Sequence, residues 1–248
     1  MMLETRIIMG MPVTVAVIGE SAPEVAESVF GYFYAIDGRF STYKPSSEIS
    51  AINAGLLLPG HFSPEMKEVL AIADQTRRET GGFFDIHRPD GGIDPSGIVK
   101  GWAIRNAARM LSDAGVANYF IEAGGDIQSA GRNPAGDPWR VGIRSPFNKN
   151  QIVRVLCPEG RGIATSGTYA RGQHIYVPHR PGKLLDEILS LTVLGPDVLE
   201  ADRFATAAFA MGRDGIGFIE VQPELEGYLI DRSGKATFTS GFSRFVRP

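Results

Sequence analysis

Two kinds of hydrophobic periodicity divide this 248-residue chain, and they do not alternate along it. Between residues 22 and 113 apolar positions recur three or four apart, while beyond residue 119 they alternate or run in short β-branched stretches. Val25, Val29, Phe30 and Phe33 mark a helix over 22–34. Ser63 before Pro64 opens a second helix, which runs through Met66, Val69, Leu70 and Ala73 to Thr80 and stops at Gly81-Gly82. A third is expected over 97–112, with Ile98, Trp102, Ile104 and Leu111 on one face. Residues 6–18 read as a strand broken at Met9-Gly10-Met11-Pro12. Further strands are expected over 119–122, 139–144, 152–156, 162–166 and 189–194. One helix interrupts them at 199–212, and a hairpin pairs 227–230 with 236–239. Separated helices and strands favour an α+β fold over a repeating βαβ unit. No internal repeat or linker breaks the chain, so a single domain over 1–248, with two closely packed lobes, is expected.

Charge narrows the function classes. The net charge is −3, with 25 Lys+Arg against 28 Asp+Glu and no basic block, so no nucleic-acid partner is expected. No apolar run approaches the roughly 20 residues of a membrane span. The first residues lack the basic, apolar and small-residue succession of an export signal. The expected location is the cytoplasm, or outside it if a signal has been removed. Cys157 is the only cysteine, which excludes an internal disulfide and multi-cysteine metal sites. Glycine is in surplus, and 11 of the 30 lie within residues 81–136. There the backbone is free to approach a ligand closely.

Three segments carry candidate chemistry. Asp94-Pro-Ser-Gly-Ile-Val-Lys100 stands at a helix start, where free N–H groups and a lysine one turn in suit a pyrophosphate. Asp94 would accept from a ribose hydroxyl or a ring N–H; equally, Asp94 or Ser96 caps the helix. Asp202 and Thr206 are four apart on one helix face and offer two hard oxygen ligands to a divalent cation. Asp202 reads equally well as the N-cap. Gly124-Gly125-Asp126 ends a strand, and beside it stand Thr165-Ser166-Gly167 and Gly81-Gly82-Phe83-Phe84-Asp85. The faces of Phe83, Phe84 and Tyr43 could sandwich a planar ring, or fill the core.

In order, these segments resemble the ApbE-type flavin transferases, the FAD:protein FMN transferase family. The resemblance runs over nearly the whole chain. It takes in Met9-Gly10, Phe40 to Tyr43, Ser47 to Asn53, Gly82 to Asp85, Asp94 to Gly101, Gly124-Gly125-Asp126, Thr165 to Gly167, and Ala201-Asp202 through Thr206 to Gly212. It implies a two-lobed fold with FAD in the cleft and Mg²⁺, or alternatively Mn²⁺, at the pyrophosphate. It implies FAD contacts from Met9, Tyr43, Phe83, Phe84, Asp85, Asp94, Lys100, Thr165 and Ser166. Gly97 (through its carbonyl), Asp202 and Thr206 would hold the metal, with Lys100 and His174 as catalytic groups. The implied reaction moves FMN from FAD to a Thr or Ser hydroxyl of an acceptor flavoprotein, such as a respiratory or redox subunit, and releases AMP.

One stretch departs from that pattern. His174-Ile-Tyr-Val177-Pro178 stands where relatives carry His-Ile-x-Asp-Pro, so the carboxylate usual near His174 is replaced by Val177. Two other activities therefore stay open, an FAD pyrophosphatase giving FMN and AMP and a non-catalytic FAD-binding protein.

Overall fold

The break at residues 9–12 is a hairpin turn. Met9 (φ 56°) and Gly10 (φ 70°) join β1 (Met2–Ile8) to β2 (Met11–Ile18), with Ile8 opposite Met11. Positive φ at both central residues matches the right-handed twist of paired strands. The same device recurs at Gly124 (φ 58°) and Gly125 (φ 96°), which join β3 (Asn118–Ala123) to β4 (Asp126–Ala130). Strand β4 has no counterpart among the sequence expectations. Asp126, Gln128 and Ser129 are polar yet buried, so its pattern does not read as a strand facing a core.

The structure is a computed structural model that describes residues 1–19, 22–148, 150–167 and 187–247. Its remaining strands are β5 (Val141–Arg144), β6 (Ile152–Leu156), β7 (Gly162–Gly167), β8 (Ile188–Gly195), β9 (Glu226–Asp231), β10 (Ala236–Phe238) and β11 (Val246–Arg247). Eight form an antiparallel sheet in the order β1-β2-β3-β4-β7-β8-β9-β10, and three form a small sheet, β11-β6-β5. The expected closing hairpin is β9–β10, with Ile230 opposite Ala236.

The helices are α1 (Ala22–Phe40), α2 (Glu48–Asn53), α3 (Pro64–Glu79), α4 (Ser96–Asp113), α5 (Val198–Ala210) and α6 (Gly215–Glu220). Helix α3 starts as its sequence dictates, with Ser63 Oγ accepting from Met66 N–H at 3.1 Å. Helix α1 continues six residues past the expected end, because Ile36 and Phe40 extend its buried stripe. Helices α2 and α6 were not expected; each has six residues, too few to show a period.

Packing places both faces of the large sheet under cover. Val13, Val15 and Val17 of β2 meet Phe30 and Phe33 of α1 and Ile98 and Trp102 of α4. Along β7, Ala164 faces α5 while the neighbouring Ile163 faces the small sheet through Val141, Ile143 and Leu156. Helices α4 and α5 approach closely at Gly101. A Cβ there would lie 2.8 Å from Asp202 Cβ and 3.0 Å from Leu199 Cα. That approach sets the site. Among the described residues no helix is long and apolar enough to cross a membrane.

Candidate active site

A cavity of about 1080 Å³ opens where the two glycine turns, the first turn of α4, the end of β7 and one face of α5 converge. This is above the roughly 300–1,000 Å³ of ordinary ligand pockets and gives room for a dinucleotide.

Two charged groups at its floor, Lys100 and Asp202, meet a third, Asp126, buried behind them. Asp126, the first residue of β4, is fully buried. Its Oδ1 accepts from Thr165 N–H at 3.1 Å, and its Oδ2 lies 2.6 Å from Lys100 Nζ. Lys100 Nζ also lies 3.5 Å from Asp202 Oδ1, while Asp202 Oδ2 accepts from Gly101 N–H at 2.9 Å. Burial pushes the Asp202 carboxyl up, to about 7. Lys100 and the Gly101 amide oppose the rise, and the Asp126 carboxylate adds to it. Among the described residues two buried carboxylates thus share one ammonium.

Helix α5 aims Asp202 inward. The N-cap is Asp197, whose carboxylate accepts from Glu200 N–H at 3.0 Å, so the reading of Asp202 as the cap is corrected. Asp202 sits more than a turn inside the helix, with Thr206 one turn further on. Thr206 Oγ1 lies 3.5 Å from Ser166 Oγ, at the limit of hydrogen bonding. On the other side Arg203 ties α5 to α3 through Thr76 Oγ1 at 3.2 Å and Glu79, and it also grips Glu200 at 2.6 Å.

The start of α4 is held differently from the simple cap expected. Pro95 occupies the cap position and has no capping side chain; Asp94 Oδ1 accepts from Ser96 N–H at 3.0 Å. At Gly97 a Cβ would lie 3.0 Å from Phe84 Cε2 and 3.8 Å from Thr206 Cγ2, so this backbone passes between the two side chains.

Ten of the sequence-derived site residues line this one cavity: Phe83, Phe84, Asp85, Asp94, Gly97, Lys100, Thr165, Ser166, Asp202 and Thr206. Phe84 is 4% exposed, packed into the core as much as into the site. Met9 packs against the core, while Gly10, Met11 and Pro12 beside it line the cavity. Tyr43 is 95% exposed and is not among the lining residues. His174 and Val177 lie outside the described residues. The sequence reading assigns no role to Asp126, whose signal is an acidic residue directly after a Gly-Gly turn.

The donors gathered here are oxygens: two carboxylates and the hydroxyls of Thr206 and Ser166, a set that suits Mg²⁺ or Mn²⁺. Among the described residues two carboxylates face one ammonium here, and this oxygen donor set fits a divalent cation.

Comparison with known proteins follows the same lines. The sequence profile of the ApbE family matches residues 9–88 and 86–229. A FAD:protein FMN transferase of Escherichia coli K12 is 32% identical over 174 residues, 66% of this chain and 49% of that protein. One of Klebsiella pneumoniae is 29% identical over 188 residues, 72% of this chain and 51% of its own length. The chain spans about half the length of these curated relatives. The flavin transferase ApbE of Vibrio cholerae superposes with a TM-score of 0.86 at 23% identity, covering 98% of both chains. The ApbE protein of Thermotoga maritima gives 0.86 at 21%, over 100% of this chain and 99% of that one. These two structures carry the fold, the profile carries the ancestry, and the chain belongs to the ApbE family.

Proposed function

We propose that this protein is a Mg²⁺-dependent transferase that moves FMN from FAD to a Thr or Ser hydroxyl of an acceptor flavoprotein, releasing AMP. The supporting observation is that Lys100, Asp202 and Thr206 line a cavity of about 1080 Å³, with the buried Asp126 paired to Lys100 behind them. It also accords with the names of the curated relatives, which are FAD:protein FMN transferases. In this reading the domain spans 1–248 and both lobes form the cleft.

Asp202, Thr206 and the Gly97 carbonyl would hold the cation, with Asp126 behind them. When bound, it supplies charge neutralisation at the pyrophosphate, the main requirement of phosphoryl transfer. Lys100 would offset the charge developing on the departing AMP phosphate, and Asp126 would keep that ammonium in place. Asp94 would receive a ribose or ring donor. Phe83 would offer an aromatic face to the flavin, Phe84 would back the wall, and Thr165 would carry its hydroxyl to the ligand from β7. Contacts from Met9 and Tyr43 need the ligand to extend past the lining residues or their loops to close over it.

The test is incubation with FAD, Mg²⁺ and an acceptor protein, followed by mass measurement of the acceptor. An FMN adduct with equimolar AMP is expected. FMN and AMP without an adduct would make the protein a pyrophosphatase; stoichiometric FAD binding without AMP would make it a carrier.

A further inference from the structure

Strand β4 ties down two helices through residues two apart, which share one face of the strand. Gln128 Nε2 donates to Gly160 O at 2.8 Å, and its Oε1 accepts the N–H of Val198, the first residue of α5, at 2.9 Å. Asp126 reaches α4 through Lys100 and β7 through Thr165 N–H. Asp126 is itself held by the Gly124-Gly125 turn, where it stands opposite Ala123. One strand therefore fixes Lys100 relative to α5, the helix that carries Asp202 and Thr206.

Within that frame the lysine is shared unequally. Its Nζ lies 2.6 Å from Asp126 Oδ2 and 3.5 Å from Asp202 Oδ1. The two carboxylates also differ in access. Asp202 lines the cavity together with Thr206 and Lys100, whereas Asp126, fully buried, does not. A cation entering the cavity meets Asp202 and Thr206 first. The Lys100–Asp126 pair is neutral as a unit, so it leaves the Asp202 charge available to that cation. Without the Asp126 carboxylate the ammonium is left beside Asp202, where it repels a divalent cation and competes for the same oxygen.

We propose that Asp126 is a positioning residue for metal binding, which holds and neutralises Lys100 so that Asp202 and Thr206 stay open to a divalent cation; this rests on the metal site of the transferase reading above. The effect of Asp126 on the cation runs through Lys100. Asp126→Asn keeps an oxygen for Thr165 N–H and nearly the same volume, but it removes the charge. Lys100→Met in the same chain then removes the ammonium and returns the surroundings of Asp202 to their former net charge. The second substitution therefore reverses the loss caused by the first.

The experiment measures Mn²⁺ binding by electron paramagnetic resonance in wild type, Asp126→Asn, Lys100→Met and the double variant. Loss of a residue behind a metal ligand costs roughly 10–100-fold in affinity. Asp126→Asn is expected to weaken Mn²⁺ binding at least about tenfold, and the double variant to bind within about threefold of wild type. Lys100→Met alone is expected to bind no more weakly than wild type. Unaltered affinity in Asp126→Asn overturns the proposal. So does a loss that persists in the double variant, which would make Asp126 a ligand itself or a purely structural residue. A crystal structure of wild type with Mn²⁺ tests the geometry without any variant. The ion is expected at Asp202 with Lys100 Nζ still on Asp126; an ion coordinated by Asp126, or an Nζ turned away from it, overturns the proposal. A wild type that takes up no Mn²⁺, with or without FAD, overturns the proposal together with the metal site. The expected binding pattern in a protein that forms neither adduct nor AMP overturns the transferase reading alone.

Discussion

Asp202 shows how little a residue type says before its surroundings are known. Four residues from Thr206 in sequence, it served equally as a helix cap or a ligand, and only the capture of Glu200 N–H by Asp197 decides between them. In the folded chain it is 3% exposed beside Asp126. Asp202→Asn should lower metal-dependent FAD turnover by more than the roughly 10–100-fold lost when a residue behind a metal ligand is removed. Calorimetric Mg²⁺ titration in the presence of FAD, together with AMP release, checks this. The same residue makes a pH prediction. Its folded pKa of about 7 stands above its ordinary 3.8, so the folded state holds the extra proton between those values. Stability of the metal-free protein should therefore fall as pH rises through that window and level off above it. Melting temperatures in chelator from pH 4.5 to 8 should show this slope, and Asp202→Asn should flatten it.

Helix α3 was legible from end to end, because Ser63 and Pro64 start it and Gly81-Gly82 stop it by purely local chemistry. Ser63→Ala should cost about 1 kcal/mol in urea unfolding, the worth of a typical N-cap. The α4–α5 crossing was not legible. Gly101 looked like one more flexible residue in a glycine-rich stretch, yet its missing side chain lets Asp202 and Leu199 come into contact with α4. Gly101→Ala should destabilise by about 1–3 kcal/mol through overpacking. It should also weaken FAD binding, since relieving the clash moves Asp202 away from Lys100; unfolding and FAD titrations on one sample test both. Strand β4 was missed for the complementary reason. Buried Asp126 and Gln128 accept from the distant backbone of Thr165 and Val198, which no local pattern foretells.

Across the whole molecule, residues far apart in the chain meet at one cavity: 94–100 around the start of α4, 124–125 from the β3–β4 turn, 165–167 from β7 and 202–206 from α5. Adding FAD with Mg²⁺ should therefore protect amides in the first three of these segments together in hydrogen exchange, with little change in the buried stretch 29–33 of α1. Protection confined to one segment would show that the ligand lies elsewhere. The sequence by itself determined the α+β class, most helices and strands, the two glycine turns and the ordered motifs of the ApbE family, since caps, periodicity and positive φ are local matters. It did not determine that Lys100 would stand between Asp126 and Asp202, or that Tyr43 would face solvent. The tertiary structure decided these, because the energy of a buried charge depends on which distant groups surround it. Those neighbours are set by how the elements pack.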